Sequence, residues 1–219
     1  MIEVVIIGQN EGLHIQNMHD ALKEYPYRRV WVLDRCTDFS EKTLMELGEK
    51  YIKTSDKLEG RQTSLARNLG LSSCAPGSDV LFLDGDRYIS EGTLCGLETW
   101  ENDIALLMLE EDFRDNTKEF QKYRYGRVHN DFYSCGLFMK RSAINKVLEF
   151  QNGELFSTSM QNVWGIEDTY LGDVCYHLGL TCDLYNACRL KGNFDRLNLD
   201  SLNVLERRFK GREKLSVKW

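Results

Sequence analysis

The stretch DVLFLDGDRYIS, residues 79–90, begins with a short apolar run that leads directly into two aspartates separated by one glycine. A continuous run of Val, Leu and Phe over so few residues is typical of a strand that is covered on both faces of its sheet. Asp84 and Asp86 stand where that strand ends. The stretch therefore predicts a buried strand, and its two acids raise the question of what compensates their charge.

The residues before this strand alternate between strand and helix patterns. IEVVIIG is a β-branched, apolar run interrupted only by Glu3, and YRRVWVLDRCTD contains a second apolar run that ends in polar residues. The segments between the strands show apolar residues at helical spacing. The predicted elements are strand 2–8, helix 13–25, a strand within 27–38, helix 39–51, helix 60–74 and strand 79–84. This order predicts a nucleotide-binding α/β fold with a mostly parallel central sheet flanked by helices.

Polar residues follow each of these strands at the point where the strand ends. Glu11 lies just after the first strand, Asp34 at the end of the second, and Asp84 at the end of the next. Folds of this class bind their ligands beyond the carboxyl ends of the strands. The sequence therefore predicts a ligand site at that edge of the sheet.

Asp84 and Asp86 are candidate metal ligands. Like charges placed side by side need compensation, and Mg²⁺ or Mn²⁺ prefers carboxylate and phosphate oxygens. Gly85 would keep the turn free of a side chain where a ligand approaches. An acidic turn without any ligand is the alternative, because two acids at this spacing are common.

The second part of the chain is less regular. Strands are predicted at 103–109 and within 131–141, and helices at 141–150 and 169–180. Because no linker or composition change marks a boundary, we predict one domain. Its predicted parts are a nucleotide-sugar-binding half at 1–90, an acceptor half at 91–185 and a basic segment at 186–219.

Charge and cysteine content narrow the possible functions. The 219 residues carry a formal charge of −6, which argues against a general nucleic-acid binder. The segment from residue 186 onward contains nine Lys and Arg and only four Asp and Glu. This basic segment could meet a phosphate, an anionic acceptor or a membrane surface, or form a solvated helix. Seven cysteines without a C-x-x-C spacing favour a reducing compartment. With no apolar run of transmembrane length and no signal peptide pattern, we expect a cytoplasmic protein.

Five segments together resemble a known family. VVIIGQNEG, VWVLDRCTD, GRQTSLARNLGL and DVLFLDGD occur in this order, and they resemble the nucleotide-sugar half of GT-A-fold glycosyltransferases, especially the family 2 enzymes. VWGIEDTYLGDVCYHLG resembles the W-G-x-E-D segment of the galactosyltransferase and polypeptide N-acetylgalactosaminyltransferase branches. These segments span most of residues 2–180, and their joint order is more specific than any one of them.

The resemblance implies roles in donor binding for five residues. Asp34 would bind the uracil base, with Glu11 on the neighbouring loop. Arg67 would reach the nucleotide or its phosphates, a role that suits the guanidinium fork. Asp84 would face the ribose and share the metal with Asp86. For Arg67, the alternative is an ordinary exposed residue of its helix.

The resemblance also implies an acceptor side in WGIED, residues 164–168. Trp164 would offer a flat apolar face to a sugar ring, with Gly165 and Glu167 also binding substrate. Asp168 would be the general base that takes the proton of the attacking hydroxyl. Alternatively, Trp164 is a core residue and the two acids stabilise the amino end of the following helix.

The third metal ligand departs from the family pattern. Related enzymes often supply a histidine 20 to 25 residues after these acids, whereas CRLKGNFDR offers Asn193 near that place. An amide oxygen is acceptable to a hard cation but a poorer ligand than imidazole for Mn²⁺. His177 lies within a predicted helix and is expected to be a packed or surface residue. The metal is therefore predicted to be Mn²⁺ or Mg²⁺.

Taken together, the resemblance implies a metal-dependent glycosyltransferase that moves a hexose from a nucleotide-diphosphate sugar, predicted to be a UDP-sugar, to an acceptor hydroxyl with inversion. A sugar-phosphate nucleotidyltransferase is an alternative, although GQNEG lacks the basic, glycine-rich phosphate cradle of that chemistry. A non-enzymatic carbohydrate or nucleic-acid binding module is another. The acceptor stays open among a glycan, a protein, a lipid and a modified nucleic acid.

Overall fold

A computed structural model describes residues 1–55, 62–89, 94, 96–109, 132–160 and 166–192. The strands within these ranges are β1 Ile2–Gly8, β2 Arg28–Leu33, β3 Tyr51–Lys53, β4 Asp79–Asp84, β5 Arg87–Ile89, β6 Ile104–Leu109, β7 Gly136–Met139 and β8 Cys182–Gly192. The helices are α1 Gly12–Leu22, α2 Ser40–Glu46, α3 Thr63–Ser72, α4 Arg141–Phe150 and α5 Ile166–His177, with a 3₁₀ turn at Thr158–Met160.

All of these strands form one mixed sheet in the order β3-β2-β1-β4-β7-β6-β8-β5. Four of the seven pairings between described strands are parallel, and the three antiparallel ones involve β7 or β5. The parallel block at β3, β2, β1 and β4 contains the predicted nucleotide half. The mostly parallel α/β sheet expected from the sequence is therefore confirmed. The division of the chain at residues 90 and 185 stays a prediction.

The sheet is covered on both faces, which explains the continuous apolar runs in β1 and β4. Along β1 the side chains alternate between two core clusters: Val4 and Ile6 pack on the face that carries α1, and Val5 packs on the face that carries α3 to α5. Both faces are buried along β4 as well. A two-sided core of this kind is what parallel strands in α/β folds require.

One glycine allows helix α3 to pack closely against the sheet. A Cβ atom added at Gly70 would collide with the side chain of Val5 and would press on Val32. Gly70 therefore allows the helix backbone to rest directly on β1 and β2. This close approach brings Arg67, one turn earlier in the same helix, to the edge of the sheet where the strands end.

Four elements differ from the expectation. The helix predicted at 39–51 ends at Glu46, because Gly48 takes a left-handed φ of 69° and the chain then enters β3. Neither β3 nor β5 shows a sequence signal, since each has only three residues. β8 was also missed; it is a long strand whose pairing with β6 contains an irregularity. None of the helices in the described ranges is both long and apolar enough to cross a membrane.

Candidate functional site

The carboxyl ends of four parallel strands bring the predicted donor residues to one edge of the sheet. Gly8 at the end of β1 pairs with Leu33 at the end of β2, and Ile7 pairs with Asp84 at the end of β4. The residues that follow these strands consequently lie side by side. Glu11 and Asp34 are therefore close to the aspartate turn after β4, as the sequence predicts.

Asp34 is buried, and its own neighbours hold both of its carboxylate oxygens. Arg35 donates to it through Nε at 2.8 Å and through Nη2 at 3.1 Å. Thr54, just after β3, donates its hydroxyl to Asp34 Oδ1 at 2.8 Å. Arg35 reaches back in this way because its backbone adopts a left-handed φ of 49°, which is rare for a residue with a side chain. These contacts fix the carboxylate in place.

Glu11 lies over the start of the aspartate turn. It is buried, and a Cβ added at Gly85 would stand 3.2 Å from Glu11 Cγ and 3.1 Å from the carbonyl oxygen of Ile7. The structure thus gives a reason for Gly85 different from the expected one: the missing side chain makes room for Glu11 and the β1 backbone. The missing side chain at Gly85 therefore allows the turn after β4 to pack closely against the loop after β1.

The Asp84–Asp86 turn offers two carboxylates of suitable chemistry for Mg²⁺ or Mn²⁺. The side chain of Asp84 is 33% exposed, and Asp86 has Arg87 Nε at 3.7 Å from its Oδ1. Within the described ranges, no three His, Cys, Asp or Glu side chains gather to form a complete metal site. Mg²⁺ commonly uses one or two carboxylates together with substrate phosphates, so a pair of acids fits such an ion.

Arg67 is the central cation of the site. It is only 3% exposed, and its Nη2 donates to Asp84 Oδ1 at 2.8 Å. Its Nη1 lies 4.0 Å from Glu167 Oε1 and 4.0 Å from Asp168 Oδ1. Burial disfavours the charge, but the three carboxylates outweigh burial, so the pKa of Arg67 is raised. The alternative of an exposed helix residue is wrong.

The chain after α4 supports this guanidinium from one side. The Phe156 ring centroid lies 5.3 Å from Arg67 Cζ, within cation–π range. Asn68 fixes that ring, because its amide accepts from the backbone N–H of Phe156 at 3.0 Å and donates to the carbonyl of Phe156 at 2.7 Å. The neighbouring residues Arg67 and Asn68 thus act together: one binds the acids, and the other holds the aromatic surface behind it.

The two acids of the predicted acceptor side lie in the first turn of α5, which begins at Ile166 rather than near Thr169. Glu167 is buried, whereas the side chain of Asp168 keeps 17% exposure. The hydroxyl of Ser134, just before β7, donates to Asp168 Oδ1 at 2.6 Å. Burial raises the pKa of Asp168, with Arg67 and Ser134 opposing that shift. Asp168 is therefore a stronger base than an ordinary aspartate.

The structure brings together most of the residues that the sequence singled out. Glu11, Asp34, Arg67, Asp84, Asp86, Glu167 and Asp168 all lie within the described ranges at or near this edge of the sheet. Trp164, Gly165 and Asn193 lie outside the described residues, so their roles stay predictions. Sequence reasoning missed Ser134, Thr54 and Phe156, because nothing in the local pattern distinguishes them.

Replacing Arg67 with methionine is expected to destabilise the protein by about 3 to 5 kcal/mol, because it leaves the buried Glu167 and the partly buried Asp84 and Asp168 without their cation. Chemical denaturation monitored by circular dichroism measures this loss. The matched control is Lys23→Met, which breaks an exposed ion pair with Asp20 and should cost at most about 1 kcal/mol. Equal losses in the two variants would show that Arg67 does not hold the acids together.

The described architecture is that of GT-A glycosyltransferases. Similar solved structures are those of glucosyl-3-phosphoglycerate synthase from Mycobacterium tuberculosis. One is a complex with Mn²⁺, UDP and glucosyl-3-phosphoglycerate, and another is a complex with Mn²⁺, UDP-glucose and phosphoglyceric acid. Each is 16% identical to this chain with a TM-score of 0.64, and the alignment covers 94% of this chain and 76% of the synthase chain. A third, with Mg²⁺ and UDP, has 16% identity and a TM-score of 0.63, covering 94% and 75%.

No protein-family model matches the sequence, and no curated protein matches it. At this identity the likeness to the synthase establishes the fold alone. The W-G-x-E-D resemblance stays a prediction, because residues 161–165 lie outside the described ranges.

Proposed function

We propose that this protein is a metal-dependent glycosyltransferase that moves a hexose from a UDP-sugar to an acceptor hydroxyl with inversion. The observation that carries the proposal is the contact of one buried guanidinium with both halves of the site. Arg67 binds Asp84, at the donor edge of the sheet, and approaches Asp168, at the start of α5. This arrangement places a candidate general base close to the acids that would hold an activated sugar.

The donor would occupy the edge formed by β1, β2 and β4. Asp86 and Asp84 would hold Mn²⁺ or Mg²⁺, with Asn193 proposed as a further ligand. When bound, such an ion stabilises the charge of the departing nucleoside diphosphate. Support for this donor comes from the structurally similar synthase, which was solved with UDP and Mn²⁺ or Mg²⁺. Asp34, fixed by Arg35 and Thr54, would contact the base, with Glu11 on the neighbouring loop. Asp84 would face the ribose.

Asp168 would take the proton from the acceptor hydroxyl as that oxygen attacks the anomeric carbon. A carboxylate within hydrogen-bond range can do this, and its raised pKa makes it a better proton acceptor. Direct displacement by the activated hydroxyl inverts the anomeric configuration. Glu167, the preceding residue, is buried, and its proposed role is substrate binding together with Trp164 and Gly165.

The acceptor is proposed only as a hydroxyl compound. The similar synthase is described with phosphoglyceric acid, a small anionic acceptor. The basic segment from residue 186 onward could meet an anion of that kind by charge complementarity. We also propose that this segment closes over bound donor. Truncation from Leu205 should then lower donor affinity and turnover, and normal values of both would contradict this role.

The decisive experiment for the function is UDP release. Incubation with UDP-sugars and Mn²⁺ should release UDP slowly through hydrolysis, even without an acceptor, and a thermal-shift screen of UDP-, GDP- and TDP-sugars should identify the donor. A nucleotidyltransferase would require a sugar phosphate and a nucleoside triphosphate instead. A binding module would release nothing, and either result would contradict the proposal.

The rate of UDP release should depend on pH through Asp168. The base must be ionised, so the rate falls as the pH drops through the pKa of Asp168. Because burial raises that pKa, the fall should begin at a higher pH than an ordinary aspartate would give. A profile of kcat/KM against pH measures this directly. Arg67 and Asp84 are the charged groups that act on this carboxyl. No acidic limb, or one unaltered in Asp168→Asn, would exclude this residue as the base.

The stereochemical outcome tests the base in another way. Proton NMR of the first product formed should show the opposite anomeric configuration to the donor. Retention of configuration would mean that the acceptor does not attack from the side opposite the leaving group. The assignment of Asp168 as base would then have to be abandoned, although the donor site would remain possible.

A further inference from the structure

Ser134 makes the closest contact with the proposed base. It is fully buried and lies two residues before the start of β7. Its hydroxyl donates to Asp168 Oδ1 at 2.6 Å, and its backbone also hydrogen-bonds to that carboxyl. The bond connects residues 34 positions apart. No sequence feature marked this serine, and the donor and acceptor roles described above do not use it.

Resting on the proposed function, we infer that Ser134 is the positioning residue of the transfer base. It holds Asp168 Oδ1, so that Asp168 Oδ2 takes the proton of the acceptor hydroxyl. Ser134 does not touch substrate in this scheme. It acts through Asp168, by fixing the plane of the carboxylate.

The contacts around the carboxylate support these different roles for its two oxygens. The hydroxyl of Ser134 and the Nη1 of Arg67 both lie on the Oδ1 side, at 2.6 Å and 4.0 Å. The Asp168 side chain is nevertheless 17% exposed, so part of it faces outward. A carboxylate without such an anchor turns freely about its last side-chain bond, and a misplacement of about 1 Å can cost 10²-fold in rate.

A bond to the ionised carboxylate also affects its titration. The Ser134 hydroxyl stabilises the charged form, opposing the effect of burial. Two charged groups act on the same carboxyl, Arg67 from α3 and Asp84 from the end of β4. Glu167, from the same helix as Asp168, lies 4.0 Å from the same Nη1 of Arg67. Since these remain in place when the hydroxyl is removed, the pKa of Asp168 should rise further in a Ser134 variant.

The test is Ser134→Ala, measured by Mn²⁺-dependent UDP release from the UDP-sugar donor. We expect kcat to fall by about tenfold, the KM for the donor to stay unchanged, and the acidic limb of the pH profile to move to higher pH. Ser134→Cys keeps a weak donor and should give an intermediate result. It also provides a second variant if the alanine variant folds poorly.

Ser78 supplies a matched control. Its hydroxyl is also buried and donates to the carboxylate of Glu3 at 2.9 Å. Ser78 stands at the amino end of β4, so it lies at the edge of the sheet opposite to the candidate site. Ser78→Ala should lower the melting temperature about as much as Ser134→Ala, since each leaves a buried carboxylate short of one hydrogen bond. It should leave kcat and the pH profile unchanged. Wild-type kcat and an unmoved acidic limb in Ser134→Ala would reduce Ser134 to a structural role and overturn the inference.

A titration that needs no turnover separates this inference from the proposed function. Carbon-13 NMR of the aspartate carboxyls, with Asp168 assigned through Asp168→Asn, should show a higher Asp168 pKa in Ser134→Ala than in the wild type. An unchanged pKa would overturn the inference even if the enzyme is active. If the wild type binds donor but releases no UDP, the proposed function fails, while this titration still reports whether Ser134 holds the carboxylate.

Discussion

Asp168→Asn should reduce sugar transfer by about 10² or more while leaving donor binding intact. The amide has nearly the same shape as the carboxylate and can still bond to Ser134, but it cannot accept a proton at neutral pH. Asp168 lies at the start of α5, on the proposed acceptor side, whereas the proposed donor acids lie at and after the end of β4. Removing its charge should therefore affect the chemical step and spare the nucleotide.

Two measurements test this expectation together. UDP release under saturating donor reports kcat, and calorimetry with UDP and Mn²⁺ reports donor affinity. The control is Asp173→Asn, which makes the same chemical change at an exposed position further along α5 and should leave both quantities unchanged. Transfer within a few fold of the wild type in Asp168→Asn would mean that another group accepts the proton.

Asp86→Ala should weaken Mn²⁺-dependent binding of UDP by about 10² or more, since the loss of a single metal-supporting group already costs 10 to 100-fold. Asp86 is a better choice than Asp84 for this test. Asp84 accepts a hydrogen bond from the buried Arg67, so its removal would also disturb the acceptor side. Asp86 lies further along the turn, with the Arg87 side chain at 3.7 Å.

Calorimetric titration of UDP, with Mn²⁺ present or removed by a chelator, measures this effect. In the wild type, removing the metal should lower the affinity, whereas the Asp86→Ala variant should bind UDP equally weakly in both conditions. Asp20→Ala removes an exposed acid on α1 and should bind UDP as the wild type does. Unchanged Mn²⁺-dependent affinity in Asp86→Ala would contradict the metal assignment.

The parallel block of the sheet could be predicted from sequence because its signals are local. β1 and β4 each contain an apolar run that is buried on both faces, and polar residues follow where each run ends. Strand order then requires these ends to lie together. The grouping of Glu11, Asp34 and Asp84 at one edge therefore needed no knowledge of distant contacts.

The electrostatics of the site could not be predicted, because they depend on contacts between distant parts of the chain. Arg67 has a charged side chain, which a helical pattern alone assigns to solvent, yet acids from β4 and α5 hold it in the interior. Ser134 and Asp168 meet only when β7 and α5 pack together. The two hydrogen bonds from Arg35 to Asp34 require a left-handed backbone at Arg35, which the sequence does not indicate.

Short strands were missed for a different reason. β3 has three residues and β5 has three, too few to show alternation, and their neighbours in the sheet supply the hydrogen bonds that define them. For the same reason, the predicted helix extended too far, to residue 51, because its apolar pattern continued past Gly48 into β3. Position in the sheet, rather than local preference, determines these segments.

The central claim is that the acids after β4 hold a cation and, with it, the diphosphate of an activated sugar. A crystal structure with Mn²⁺ and UDP, with the metal located by its anomalous scattering, tests it most directly. We expect the manganese peak to lie against the carboxylates of Asp86 and Asp84, with the diphosphate on its other side. A peak elsewhere, or UDP bound away from this turn, would contradict the account.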